Sequence, residues 1–421
     1  MNWLDLSSSA FMAAFFLYCF GFMFYVVAFA GRKWSHGDPE RFQRKWGKVA
    51  ITVSSLGLAG HLVFFFARWI GQGHIPVSNM YEFMTFLGMA VMIAFVIISL
   101  IYRRLILGII TLPLVIIIIS YASVFPQEVQ PLIPALNSIW LKIHVTTAAL
   151  GEAFLAVGFA AGLLHLLRTV NYSKGADDAK SKKERFWVET TLFMLLVACG
   201  FIISVFGFRM AGYEAEFKQE KVDVTQAGEA VTETNTVKYS MPPIVKPYNS
   251  TVVKAEEFLG ANKPLFEAPS WMNGVNAGRK LNTVIWSLLT GAILYGLLRL
   301  LFRKQLGAVI HPMTTDIDPD DLDEISYRAI AIGFPIFTLG ALIFAMIWAQ
   351  IAWSRFWGWD PKEVWALITW LFYSAYLHLR LSRGWHGKRS SWLTVIGFVI
   401  IMFTLIGVNL VIAGLHSYAG V

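Results

Sequence analysis

Ten apolar stretches recur along this chain, each about as long as a helix needs to cross a bilayer, and they constrain the fold more than any other feature. They cover residues 9–30, 49–69, 81–102, 105–124, 147–167, 188–208, 281–302, 329–351, 364–381 and 392–413. Inside lipid no water satisfies a stray backbone group, so a spanning segment is a helix or a strand of a closed barrel. A spanning helix takes about 20 apolar residues and a barrel strand about 10. The expected fold is therefore an all-α polytopic membrane protein with about ten transmembrane helices. The composition agrees: 56% of residues are hydrophobic and 15% charged, against about 45–50% and about 25% in soluble domains. A soluble enzyme, a disordered chain and a disulfide scaffold are excluded. The cysteines, Cys19 and Cys199, both lie inside apolar runs, so neither a CxxC motif nor a thiolate zinc site is available. Residues 1–6 carry no basic cluster, and the first span reads as a retained helix rather than a cleaved leader.

Lysine and arginine set the expected orientation. Of the 35 in the chain, 22 fall in one alternate set of loops, those around residues 32–48, 103–104, 168–185, 299–328 and 380–389. The short loops of the other set hold only Arg68, Lys142, Arg355 and Lys362. Positive charge marks the inner side, so both termini are expected outside. The net charge of +8 reads as this loop bias, not as affinity for nucleic acid. One loop, 209–280, is long and polar. It divides the chain into six N-terminal spans (1–208), an extracytoplasmic insertion (209–280) and a C-terminal set of spans (281–421). Within the insertion, residues 221–224 and 232–239 alternate weakly, as short strands do, so a small hairpin or lid is expected.

Nine histidines sort by position. His36, His311 and His386 read as solvated inner-loop residues, His74 as part of a turn, and His165 as interfacial. His61 and His378 fall within the second and ninth spans, where an ionisable group is costly and functional by default. Two readings stand for them: a bond to a neighbouring helix, or ligation of a metal or heme iron from two helices. Counted from opposite edges, each lies about 20 Å deep. In a core about 30 Å thick that leaves an offset of about 10 Å, which tilt reduces. His144 and His416 lie at the outer mouths of the fifth and tenth spans, at similar depth on one side. They read either as interfacial residues or as ligands approaching one metal from opposite faces.

Between that second pair lies the segment 353–365, with Trp353, Phe356, Trp357, Trp359 and Trp365 interleaved with Arg355 and Lys362. Part of it is structural: Asp360 fits an N-cap, Pro361 the first helical position and Glu363 a capping box. The aromatic density calls for more. A flat macrocycle with carboxylate tails would stack on the Trp faces and meet the cations, and Gly358 would let the backbone approach closely.

The run Trp357-Gly358-Trp359-Asp360-Pro361-Lys362-Glu363-Val364-Trp365-Ala366-Leu367 resembles the tryptophan-rich WWD signature of the heme-handling proteins of cytochrome c biogenesis, a family that includes CcsA, ResC and CcmC. Residues 376–380 (Tyr-Leu-His-Leu-Arg), 414–418 (Gly-Leu-His-Ser-Tyr) and 76–82 (Pro-Val-Ser-Asn-Met-Tyr-Glu) match CcsA and ResC. The long loop is more similar to the ResC branch. The resemblance implies that His144 and His416 flank the platform as outer ligands. It implies too that His61 and His378 form a transmembrane pair receiving heme b on its way out. Trp353, Trp357, Trp359, Asp360 and Trp365 would form the platform, with Arg355 and Lys362 orienting the ring. A ResB/CcsB-type membrane partner, an apocytochrome c with its CxxCH, and a separate thioredoxin-like thiol-reducing system are implied as well. Two rival readings remain, a heme exporter without ligation and a b-type membrane cytochrome. Glu152 and Asn409 each read as lining a polar path or bonding a neighbouring helix, and Arg380 as a partner for a heme carboxylate or as a boundary marker.

Overall fold

The apolar runs fold as helices whose ends follow the local chemistry. The computed structural model describes residues 2–31, 38–129, 137–173, 178–224, 230–260, 262–272 and 274–408. The helices are α1 (Trp3–Ala30), α2 (Pro39–Gln72), α3 (Met80–Tyr102), α4 (Gly108–Ala122), α5 (Ile139–Thr169), α6 (Ala179–Met210), α7 (Ala277–Phe302), the short α8 (Leu306–Ile310), α9 (Pro319–Phe337), α10 (Ala345–Trp353), α11 (Pro361–Arg383) and α12 (Lys388–Met402). Asp38, Asp318 and Asp360 cap α2, α9 and α11, each followed by proline, which suits the first helical turn.

Nine of the ten expected spans fall on helices, as do the described residues 392–407 of the tenth. The long α9 and α10 are joined by the π-helical turn Thr338–Phe344 into one 35-residue span. Among the described residues, nine helices are long and apolar enough to cross a membrane. The ninth expected span, residues 364–381, lies on α11, which is helical but is not among them. It carries Lys362, Glu363, His378 and Arg380 within its 23 residues. The chain is a multi-pass membrane protein.

Contacts divide the chain into two units, 1–188 with 307–421, and 189–306. In the first, α5 is the central helix, packed against α3, α4, α9, α10 and α12. Small residues allow the close approach. A Cβ added at Gly151 would lie 2.5 Å from the Phe337 backbone nitrogen, and one at Gly340 would lie 2.2 Å from that of Ala148. α1 and α2 pair along their lengths.

The second unit holds the rest of α6, α7 and the polar insertion. The insertion forms an antiparallel hairpin, β1 (Ala215–Val224) with β2 (Ala230–Tyr239), in register from Ala215↔Tyr239 to Val224↔Ala230. β4 (Ser250–Ala255) adds to the far side of β1, and β3 (Val245–Lys246) pairs in parallel with β5 (Phe266–Glu267). Tyr213, Ala215, Phe217, Val237 and Tyr239 give the sheet its own small core. The buried Asn282 of α7 ties it down: its Oδ1 accepts from the Ile244 and Val245 amides at 2.8 and 3.2 Å.

Candidate functional site

The site begins where the helical pattern breaks. Pro335 lacks an N–H, and three residues later the chain winds as the π-turn Thr338–Phe344. A π-turn takes carbonyls off the usual ladder, and here the Gly340 carbonyl accepts a hydrogen bond from His144 Nδ1 at 2.9 Å. With its proton on Nδ1, the imidazole carries its lone pair on Nε2, the arrangement of a metal-ligating histidine held by a backbone carbonyl. Trp348 fixes the plane of that ring, the two centroids 6.0 Å apart and the planes within 11°. Trp348 is buried and meets Trp353 edge-on at 5.0 Å.

The tryptophan segment supplies a second wall. α10 ends at Ser354, and both Ser354 and Trp359 hold positive φ, 55° and 56°. For a bulky residue that conformation costs about 1–2 kcal/mol, and such strain collects at functional sites. Trp359 is 70% exposed and Phe356 61%. Trp357 meets Trp359 edge-on at 6.1 Å, and Trp365 packs on Phe403 at 4.3 Å. The expected capping box is present. The Glu363 carboxylate accepts from the Gly358 and Asp360 amides at 2.7 and 3.2 Å, and that of Asp360 from the Lys362 amide at 3.1 Å. The Arg355 guanidinium lies over Gly358, where an added Cβ would meet Nη2 at 2.5 Å.

A third wall comes from the turn before α3. Asn79 caps that helix, accepting from the Glu82 amide at 2.9 Å. Glu82 accepts from the Ser78 amide and hydroxyl at 3.0 and 2.7 Å and from Arg68 Nε at 3.1 Å. Arg68 and Glu82 are both buried. Arg68 therefore differs from the loop charge expected of it: it is the internal clamp of this turn. The three walls enclose a cavity of about 230 Å³ lined by Asn79, His144, Glu152, Trp348, Trp357 and Lys362, among others. The residues present suit an iron macrocycle: an oriented imidazole, aromatic faces, and a cation.

The remaining histidines scatter. His61 is fully buried in α2, sharing a hydrogen bond between Nδ1 and the Tyr18 hydroxyl at 3.2 Å, with Phe11 and Phe64 around its ring. Among the described residues its Nε2 has no hydrogen-bond partner. His378 is exposed on α11. α2 packs mainly on α1 and α3, and α11 mainly on α9 and α12. The two histidines thus stand in different packing groups. His416 and Asn409 lie outside the described residues, as does His36. His165 is buried, not interfacial, and pairs Nδ1 with the Ser391 hydroxyl at 2.9 Å. His311 donates from Nδ1 to the Leu167 carbonyl at 2.8 Å. Arg380 is committed internally, to both oxygens of Asp323 at 2.8 and 2.9 Å.

A sequence reading passes over Trp348 and Gly340, since a Trp or Gly within an apolar span reads as filler. Pro335 is the one local signal that the helix there is irregular.

Comparison with known proteins bears directly on this arrangement. Residues 77–219 and 283–416 match the family model described as "Cytochrome C assembly protein". The chain belongs to the cytochrome c assembly family. The first matched stretch opens at the Val77 wall of the cavity, and the second contains the tryptophan segment. Among curated members, the cytochrome c biogenesis protein CcsA of Nostoc punctiforme is 31% identical over 390 residues, 89% of this chain and 92% of that protein. CcsA of Trichormus variabilis is 31% identical, covering 88% of each chain. CcsA of Gloeobacter violaceus is 30% identical over 88% of this chain and 86% of its own length. A role in cytochrome c maturation, and with it the handling of heme, follows from membership in this CcsA/ResC-type family.

Proposed function

We propose that this chain is the heme-carrying subunit of a two-part, system II cytochrome c synthetase. It moves heme b to the outer membrane face and presents it to the CxxCH of an apocytochrome c. The observation that carries the reading is the His144 imidazole, oriented by Gly340 and stacked on Trp348, in one cavity with Trp357 and Lys362. In this reading His144 and His416 hold the iron from opposite faces. Trp353, Trp357, Trp359, Asp360 and Trp365 form the platform, and Arg355 and Lys362 meet the carboxylate tails. His61 and His378 bind heme within the membrane before it reaches the platform. Each cysteine thiol of the docked apocytochrome adds its sulfur and hydrogen across one heme vinyl bond. The chain contributes mostly by positioning. A ResB/CcsB-type membrane protein completes the synthetase. Because Cys19 and Cys199 lie in spans, a thioredoxin-like system keeps the substrate thiols reduced.

The test is spectroscopic. The chain is purified alone and with its ResB-type partner, and oxidised and reduced absorption spectra are recorded for the wild type and for H144A, H416A, H61A and H378A. Heme that co-purifies, and whose spectrum is lost or reshaped in the histidine variants, supports the reading and assigns the sites. If only H144A and H416A matter, the transmembrane pair is withdrawn. If neither preparation carries heme when heme is plentiful, the reading falls.

A further inference from the structure

One cavity group has no task in the reading above. Glu152 lies two turns along α5 from His144, on the same helical face, about 12 Å away along the axis. It lines the same cavity, its residue is 9% exposed, and among the described residues its Oε2 has no hydrogen-bond partner. The hydroxyl of Tyr373 on α11, also buried, has none among them either.

Buried polar atoms in folded proteins are almost always paired. A glutamate serving as interhelical glue would be bonded to a neighbouring helix, and Glu152 Oε2 has no hydrogen-bond partner among the described residues. Among the described residues no group of three His, Cys, Asp or Glu able to hold an ion occurs. A molecule that fills the cavity would supply the partner.

Heme, the cargo proposed above, carries its hydrogen-bonding groups at one edge, on two carboxylate tails. The separation of His144 and Glu152 is far too long for both to ligate one iron. It suits an iron held by His144 with a tail extending toward Glu152. Two carboxylates would repel, whereas a carboxylic acid donating to a carboxylate forms a short, strong bond. We propose that Glu152 is a cargo-contacting residue whose protonated carboxyl donates a hydrogen bond to a heme carboxylate tail, with Lys362 meeting the negative charge. The inference rests on the heme reading and adds a residue that selects the orientation of the ring.

The experiment uses the heme-depleted complex of full-length chain and partner, titrated with hemin and with hemin dimethyl ester, whose tails are esterified. E152A is expected to weaken hemin binding about tenfold or more and to leave ester binding unchanged. E152Q, which keeps an N–H donor, is expected to stay within about threefold of wild type for hemin. Retained ester binding also shows that the variant is folded; E152M, which fills the volume without a donor, replaces E152A should that variant not fold. Equal losses for both probes, or no loss for hemin, overturn the inference while the heme reading stands. Failure of the wild type to bind either probe overturns both.

Discussion

His144 illustrates how one residue is prepared by its neighbours. The Gly340 carbonyl accepts a hydrogen bond from Nδ1 and Trp348 sets the ring plane. Replacing Trp348 by leucine keeps apolar volume but frees the ring. The expected result is heme still bound but with a broadened, shifted Soret band, whereas H144A loses the band and regains it with added imidazole. The capping box makes a second prediction at this scale. Glu363 accepts the Gly358 and Asp360 N–H groups, and Asp360 accepts those of Lys362 and Glu363. Removing a cap costs about 0.5–2 kcal/mol, so D360A and E363A should each lower the midpoint of thermal unfolding in detergent. Hydrogen exchange at residues 358–364 should rise in both variants. The aromatic density and the cap were legible in the sequence because both are local patterns. The Arg68–Glu82 clamp was not, since nothing in a one-dimensional pattern tells a buried charge pair from two residues at a span boundary.

At the scale of the element, the α5 interface is a test of packing. A Cβ at Gly340 would sit 2.2 Å from backbone, with no flexible side chain to give way. G340A should destabilise the protein by about 1–3 kcal/mol. A control at Gly207, where an added Cβ meets nothing within 4 Å, should change stability far less. Thermal unfolding of both variants decides it. The short β3–β5 ladder carries a pH dependence. The Asn249 amide and then the Lys246 ammonium, 3.0 Å away, hold the Glu267 carboxyl below its ordinary range. A group depressed on folding stabilises fully above its unfolded value, about 4.3 for glutamate, and loses that contribution as pH falls through the folded value. The gap in midpoint between wild type and E267Q should therefore be constant above about pH 5 and close in more acidic buffer. The hairpin itself was legible as weak alternation, but β4 and the β3–β5 pair were not, because their pairing is set by the chain around them.

At the scale of the whole molecule, the ten apolar runs gave the helices because span length is a direct reading of bilayer thickness. The sequence predicts sidedness as well, and this can be measured. In a variant lacking Cys19 and Cys199, single cysteines at Ser78 and Ser354 should react with an impermeant maleimide from the outer face of intact cells. Cysteines at Arg103 and Arg389 should react only after permeabilisation. Labelling of all four from one face would overturn the charge-based orientation.

The seven-residue turn Thr338–Phe344 has a consequence in angular phase. An α-helix advances 100° per residue, and a π-turn, whose hydrogen bonds reach five residues back, advances less, so winding the same seven residues as regular α-helix would rotate everything downstream. Trp348 and Trp353 would swing away from α5, although every side chain of the cavity would still be encoded. The irregular turn thus works as a phase-setter for the helix that follows it.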